Sequence, residues 1–332
     1  MEKKSLLKKI TGSREASLVI VLILLCIAVT IKSPNFMSAQ NILEILKNNA
    51  VIMIMALGML CVLLIGGIDI SITSTLAFAG MTIGMMYKYN KIESTLLGFL
   101  IATAMGAVCG LLIGVIIAYG KVMPIIATMG FMYIYRGFAY LVAQDQWAGA
   151  DALGSFKDFT LSNSLSFGLI NNTITVTIVC YIIFFIVLKW TKFGRSIYAV
   201  GSNAEAAEIS GINVAAIKTA VYTIMGTLAG LCGALATSVY ASAQPNMQTS
   251  KEMDVIAACV IGGVSMNGGR GSVIGALLGA LVLSVISKAL PLVGINAIAQ
   301  NTIKGVIIVA VIILNVLTQR MMDKANLENR EM

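Results

Sequence analysis

Apolar stretches follow one another along most of the chain, separated by short polar segments. Many of them reach about 20 residues, the length at which a helix crosses the hydrocarbon core of a bilayer. The first stretch, 16–31, has no small-residue cleavage site before Lys32, so we expect it to remain as an uncleaved span. A short polar-flanked helix is expected over 41–49. Further apolar runs occupy residues 50–65, 72–87, 95–119, 122–143, 167–189, 214–238, 254–267, 271–290 and 302–318.

This pattern predicts an all-α integral membrane protein with about ten transmembrane helices. Residues 1–332 are expected to form a single transmembrane domain, because no polar stretch is long enough for a sizeable soluble one. Composition agrees, since 58% of the residues are hydrophobic and only 11% are charged. Soluble domains carry roughly 25% charged residues.

Lysine and arginine indicate the orientation of the spans, because cytoplasmic loops carry an excess of them. Ten spans that start in the cytoplasm place segment 144–166 outside and segment 192–214 inside, and return the C-terminus to the cytoplasm. We therefore expect both termini on the cytoplasmic side. The basic residues on that side would be Lys3, Lys4, Lys8, Lys9, Arg14, Lys121, Lys189, Lys192, Arg195, Arg270, Arg320, Lys324 and Arg330.

One region fits this orientation poorly. Lys88 and Lys91 fall outside, which the charge rule disfavours. The pair Gly66-Gly67 interrupts an apolar run shortly before them, so a broken or re-entrant helix near residues 66–95 is an alternative. Arg136 lies within another apolar run, and we expect its side chain to snorkel to the membrane interface.

The absence of histidine excludes Ser-His-Asp and Cys-His catalysis and histidine-ligated metals. The six cysteines lie singly in apolar runs without C-x-x-C spacing, so we expect them to pack as small apolar residues. The formal charge of +8 is accounted for by membrane orientation and does not point to nucleic acid. The sequence therefore predicts a protein that is not an enzyme and has no catalytic, cofactor or metal site.

Glycines recur every four positions in several of the apolar runs. In lipid, this spacing lets two helix backbones approach closely, and it predicts a compact bundle of many helices. A weak internal echo also joins residues 64–68 to residues 260–264, each with a Gly-Gly pair. The spaced glycines are Gly106, Gly110 and Gly114, then Gly226 and Gly230, then Gly271, Gly275 and Gly279.

Ionisable and hydroxyl side chains near the apolar runs are candidates for a polar route through the membrane. Asp69 follows the glycine pair, with Ser71 and Ser74 close behind it, and Glu252 and Asp254 open a later run. A charge inside the bilayer costs about 2.5–3.5 kcal/mol on insertion scales, so it usually faces a partner or water. Asp69 is either a cap of the following helix or part of such a route. We take Asp69, Ser71, Ser74 and Asp254 as the route candidates.

A polar island between two apolar runs is segment 192–214, which has room for about two short helices. Glu205 and Glu208 lie three residues apart and therefore on one helix face. Ser202 or Asn203 can cap the start of this helix, and Gly211 can end it in a left-handed turn. The segment is either an ordinary solvated loop or a handle that a soluble partner grips.

Several short motifs occur in one order along nearly the whole chain, and together they resemble a known family. The family is the membrane permease subunit of bacterial ATP-binding-cassette sugar importers, of the ribose type. The chain departs from it at 71–74, where Ser-Ile-Thr-Ser replaces the usual Ser-Val-Gly-Ser. The matching motifs are SPNF at 33–36, GGIDIS at 66–71, AYGKV at 118–122, YIYRG at 133–137, KFGRSIYAVGSNAEAAEISGINV at 192–214, SAQP at 242–245 and IGGVSMNGGRGSVIGALLGAL at 261–281.

The resemblance implies a permease in the bacterial inner membrane that passes a ribose-like sugar to the cytoplasm by alternating access. Its implied partners are an ATP-binding subunit, an extracytoplasmic sugar-binding protein, a second permease copy or a sister permease, and membrane lipid. In the family a Glu-Ala-Ala…Gly helix sits in a groove of the ATPase. The motif falls on Glu205, Ala206, Ala207 and Gly211, and we add Glu208 to this coupling set.

Three alternatives remain open on the sequence. The first is that the protein is a permease of the same family for another monosaccharide or for autoinducer-2. An ion-coupled secondary sugar transporter needs charged groups at the membrane midplane, of which this chain offers few. An intramembrane enzyme is disfavoured by the absence of histidine and of paired acids.

Overall fold

A computed structural model describes residues 14–160, 162–166, 168, 170–296, 299–300, 302–306, 309–310 and 313. Within these residues the chain is helical and forms no strand beyond one isolated bridge. Short 3₁₀ helices lie at Pro34–Met37, Gly154–Thr160 and Ser164–Ser166. The α-helices are α1 (Arg14–Lys32), α2 (Ala39–Leu64), α3 (Ile72–Lys88), α4 (Thr95–Ala118), α5 (Pro124–Ala143), α6 (Asn172–Trp190), α7 (Lys192–Ser202), α8 (Ala204–Ile209), α9 (Val214–Val239), α10 (Lys251–Ile261) and α11 (Val273–Leu292).

By length and composition, 7 of the described helices can cross a membrane, namely α1, α2, α4, α5, α6, α9 and α11. Helix α3 has 17 residues and α10 has 11, so both are shorter than a typical span. The last apolar run, 302–318, and the basic residues of both termini lie largely outside the described residues. The chain is thus an all-α, multi-pass membrane protein, as its hydrophobic pattern predicts.

Helix α2 is one continuous helix of 26 residues, which corrects the expected division into a short polar helix and a separate span. Its polar N-terminal residues satisfy their own hydrogen bonds locally. Ser38 caps the helix, and Asn41 Nδ2 donates to the Phe36 carbonyl at 2.8 Å. Asn49 Nδ2 donates to the Ile45 carbonyl at 2.9 Å. No polar group therefore forces a break, and nearly every residue after Asn49 is buried in the bundle core.

Close backbone packing joins α4 to α9, as the glycine spacing predicts. A Cβ placed on Gly106 would fall against the carbonyl oxygen of Gly226, and one on Gly230 would fall against the Ala102 carbonyl. Helices α10 and α11 meet in the same way, since a Cβ on Gly279 would strike the Ala258 carbonyl. The glycines are therefore required by the helix contacts they occupy.

The bundle has two distinct ends. The first, called here the α7 end, contains residues 65–71, 119–123, 192–213 and 262–272, and it is tied together by a hydrogen bond from Tyr198 Oη to the Gly271 carbonyl at 2.9 Å. The opposite end holds the turn after α3 and the segment after α5, where Lys88 Nζ donates to Gln146 Oε1 at 2.7 Å.

Candidate functional site

The polar island forms the two short helices α7 and α8, each with its own cap. Thr191 Oγ1 accepts from the Gly194 backbone N–H at 3.1 Å and caps α7. Asn203 then ends α7 and caps α8, where its Oδ1 accepts from the Ala206 N–H at 2.9 Å. Of the two predicted caps, Asn203 is the one used.

Helix α8 ends in a Schellman motif, a paired set of hydrogen bonds around a left-handed residue. Gly211 has φ +85°, and its N–H donates to the Glu208 carbonyl at 2.9 Å. The next N–H, that of Ile212, donates to the Ala207 carbonyl at 3.0 Å. The predicted left-handed end is confirmed, and it fixes the boundary of a helix of only 6 residues.

The exposed face of α8 carries most of the expected coupling residues. Glu205, Ala206, Glu208 and Gly211 are all exposed. Ala207 is different, because it is 4% exposed and packs against the protein itself. Of the two alanines, only Ala206 can contact an outside partner. Ala207 instead seats the helix on the bundle.

Beneath α8 lies a cavity of about 570 Å³ that opens at the α7 end. Glu205 and Glu208 line one side of it, and Lys121 and Lys218 line another. Its inner wall is formed by the turn at Gly66 and by residues next to it. The acidic face of α8 is therefore adjacent to the break between α2 and α3.

Helix α7 makes a direct backbone contact with that break. The Gly269 N–H donates to the Leu64 carbonyl at 2.9 Å. A Cβ on Gly201, at the end of α7, would collide with the same Leu64 carbonyl. The end of α2, the loop after α10 and the end of α7 thus meet at one point, which sequence reasoning did not anticipate.

The two Gly-Gly pairs of the internal echo share one function, which is to end a helix. Gly66, with φ +73°, ends α2 by bonds to the Leu63 and Val62 carbonyls from its own N–H and the next. Gly263, with φ +82°, ends α10 in the same pattern. The left-handed residue is the first glycine of one pair and the second of the other. The two segments are alike because each ends a helix with the same pair of hydrogen bonds, although the left-handed glycine has a different position in each pair.

Asp69 is buried at 2% exposure just before α3. Its Oδ1 accepts from the Ser71 N–H at 2.9 Å and from Ser71 Oγ at 2.6 Å. These bonds form a turn from Asp69 to Ser71, the N-cap residue of α3, and among the described residues no side-chain cap bond reaches the helix itself. Ser74 Oγ is also buried and has no hydrogen-bond partner among the described residues. The helix break itself is confirmed at residues 65–71.

Asp254 does not join this group. Its Oδ2 accepts from Lys251 Nζ at 3.2 Å and from Lys304 Nζ at 2.5 Å. Of the four route candidates, the described contacts bring together only Asp69 and Ser71. Asp254 is held instead by two lysines.

A second buried polar cluster was missed by sequence reasoning. Thr73 Oγ1 donates to Glu252 Oε2 at 2.7 Å, and Arg136 Nη2 lies 3.5 Å from the same hydroxyl. Arg136 Nη1 donates to the carbonyls of Pro245 and Met247 at 2.7 and 3.2 Å. The Arg136 guanidinium therefore bonds to protein groups, two of which are carbonyls of the segment between α9 and α10. The sequence did hold a signal for this cluster, because Arg136 and Glu252 are opposite charges in or beside two different apolar runs.

Thr73 occupies the position where the resembled family usually has glycine. Its hydroxyl bridges α3 to α10 and approaches α5. Thr73 therefore makes a polar contact among three helices. The chain has the helix break at Gly66 and the bonds of Asp69 beside it.

Comparisons with known proteins agree with the resemblance drawn from the motifs. Residues 41–315 match the family described as the permease component of branched-chain amino acid transport systems. The ribose import permease protein of Escherichia coli strain K12 is 34% identical over 307 residues, covering 91% of this chain and 93% of that protein. The corresponding protein of Bacillus subtilis strain 168 is 35% identical, covering 89% and 90%.

The galactose/methyl galactoside import permease protein of Escherichia coli strain K12 is 33% identical over 330 residues, covering 95% of this chain and 97% of that protein. No solved structure matches the chain significantly. The helices, the order of the motifs and these matches lead to the same conclusion. The chain belongs to this family of membrane permease components and is a transport protein, not an enzyme.

Proposed function

We propose that the chain is the membrane permease subunit of an ATP-driven importer for a simple, ribose-like sugar. The observation that carries the proposal is the similarity to ribose and galactose import permeases over about nine-tenths of the chain. The sugar would arrive from an extracytoplasmic binding protein and pass to the cytoplasm by alternating access. ATP would be hydrolysed by a separate subunit.

The proposed contact with that ATPase is the exposed face of α8. Glu205, Ala206, Glu208 and Gly211 would meet the partner, and Ala207 would hold the helix against the bundle. An acidic helix face is suited to a basic groove, because a charged pair adds direction to the contact. The close backbone contact between α7 and the end of α2 supports this role, because a movement imposed on α8 by the ATPase could pass through it to the break beside Asp69.

The proposed topology has ten spans in a single domain over residues 1–332. Helices α3 and α10 and the apolar run 302–318 would supply the three spans beyond those that meet the length criterion. Both termini and the α7 end would then lie in the cytoplasm of a bacterial inner membrane. Two copies, or this chain with a sister permease, would complete the transporter.

We keep Asp69, Ser71, Ser74 and Asp254 as the proposed lining of the sugar route. Asp69 and Ser71 share a hydrogen-bonded turn at the break between α2 and α3. The buried hydroxyl of Ser74 lies one turn further along α3 and is free among the described residues to bond a passing group. The identity of the sugar, or of autoinducer-2 in its place, would be set mainly by the binding protein.

Reconstitution into proteoliposomes tests this proposal against the ion-coupled alternative. With the ATPase and binding protein added, uptake should require ATP and should be independent of an ion gradient. Uptake driven by an ion gradient without ATP and without a second subunit would overturn the proposal.

A charge reversal tests the coupling face directly. Glu205→Lys should reduce retention of the ATPase during purification and lower ATP-driven uptake, while the permease still inserts. Glu93→Lys, an exposed charge reversal at the opposite end, is the matched control and should leave retention of the ATPase unchanged. Unchanged coupling in Glu205→Lys would refute the role of α8.

A further inference from the structure

Helices α2, α6 and α11 enclose a groove of about 350 Å³ that is not part of the proposed sugar route. Its walls include Met53 from α2, Ile178 from α6 and Ile274 from α11. The hydroxyls along it are satisfied by the protein. Tyr181 Oη donates to the Met53 carbonyl at 2.9 Å, and Thr177 Oγ1 donates to the Thr173 carbonyl at 2.9 Å. The groove therefore presents an apolar surface.

The groove has the length and the opening that an acyl chain requires. On α6 it extends from Ile174 to Phe185, which corresponds to about 16 Å at 1.5 Å per residue. That is about half the thickness of a bilayer's hydrocarbon core, or the depth of one leaflet. Ile178 and Ile182 are 46% and 54% exposed, so the groove is open along its side.

Two cations lie where the groove approaches the α7 end. Lys189 Nζ is 5.0 Å from the centre of the Phe185 ring, and Phe185 lines the groove. The same Nζ is 5.7 Å from the Trp190 ring, and Arg195 Nη1 lies 3.5 Å from the Trp190 carbonyl. Among the described residues, neither cation forms an ion pair with a carboxylate. An exposed tryptophan between them is typical of the membrane–water interface.

We propose that this groove binds one acyl chain of an anionic phospholipid whose phosphate lies between Lys189 and Arg195. The apolar walls would bind the acyl chain, and the two cations would favour a negatively charged headgroup. Because Arg195 belongs to α7, the bound lipid would brace the junction of α6 and α7. Only the assignment of the groove to the cytoplasmic leaflet rests on the proposed function. The site itself does not depend on sugar transport.

Native mass spectrometry of the purified whole permease tests the headgroup. The detergent-solubilised protein is offered equal amounts of phosphatidylglycerol and phosphatidylcholine with identical chains. Wild type should retain phosphatidylglycerol preferentially, and Lys189→Gln or Arg195→Gln should each reduce that preference about fivefold, the effect of one basic residue at an anionic surface. Lys91→Gln, an exposed cation at the opposite end, should leave it unchanged.

A groove-filling variant tests whether the groove binds the acyl chain of the lipid. Ile178→Trp should reduce retention of both lipids, whereas Ile126→Trp, on the exposed face of α5, should not. Equal retention of the two lipids by wild type, or an unchanged preference in both glutamine variants, would overturn the proposal. So would an Ile178→Trp protein that changes from dimer to monomer and retains lipid as before, because the groove would then be an interface between copies. These measurements need neither ATPase nor sugar, so they fail or succeed independently of the proposed function.

Discussion

Gly211 offers a sharp test of how α8 is held in shape for its proposed partner. The residue has φ +85° at the end of the helix, and a Cβ built there meets nothing within 4 Å. Substitution therefore changes only the backbone preference and the outer surface. Gly211→Val and Gly211→Asn separate these two effects, because asparagine tolerates the left-handed region and valine does not.

The magnitude follows from the backbone. Holding an ordinary L-residue in the left-handed region costs about 1–2 kcal/mol. That corresponds to a factor of about 5–30 in the ratio of intact to frayed helix ends. Helix α8 has 6 residues and little stability of its own, so fraying at Gly211 would disturb the face that carries Glu208. Asparagine should retain most of the structure.

The assay is ATPase retention during purification, together with ATP-driven sugar uptake in proteoliposomes. Gly211→Val should lose several-fold in both, and Gly211→Asn should remain close to wild type. Gly294→Val is the matched control. Gly294 has φ +84°, also meets nothing within 4 Å, and ends α11 with the same pair of hydrogen bonds, but at the opposite end of the bundle.

Equal losses in the valine and asparagine variants would show that the partner needs a bare glycine surface, and the backbone argument would be refuted. Full activity in both would refute the coupling role of this turn. A loss of ATPase retention of equal size in Gly294→Val would mean that strain anywhere in the bundle weakens the contact with the ATPase.

Three further predictions concern the packing and the buried polar groups. Gly106→Ala should lower the melting temperature in detergent, because overpacking costs about 1–3 kcal/mol, whereas Gly137→Ala has open space and should gain up to about 1 kcal/mol of helix propensity. Glu252→Ala should destabilise the protein by about 1–3 kcal/mol because the buried Thr73 hydroxyl loses its acceptor, and Glu252→Gln, which keeps an acceptor oxygen, by less, as measured by denaturation in detergent. Asp69→Ala should reduce uptake while the ATPase still binds, and Asp69→Asn, which keeps one oxygen acceptor, should fold like wild type but transport less.

Each of these has a contrary outcome. Equal melting temperatures for the two alanine variants would contradict the close contact of α4 and α9. A Glu252→Ala protein as stable as wild type would mean that the bond between Thr73 and Glu252 contributes nothing to stability. Normal uptake by Asp69→Asn, with misfolding of Asp69→Ala, would leave Asp69 as a helix cap only.

The sequence determined the class of the protein because membrane burial leaves a signal in every residue of a span. It also predicted local devices that depend on a few neighbouring positions. The Asn203 cap, the left-handed Gly211 and the close packing of glycines such as Gly106 are confirmed. Each rests on short-range chemistry or on a regular spacing that can be read directly from the residues.

Only the tertiary structure determines the contacts between residues that are far apart in the chain. Arg136, Thr73 and Glu252 meet only because α3, α5 and α10 pack together, and an isolated charge in an apolar run does not reveal its partner. Ala207 is turned inward for the same reason, although its neighbour Ala206 has the same side chain. Spacing along one helix predicts which residues share a face, but only the packing of the other helices determines what that face meets.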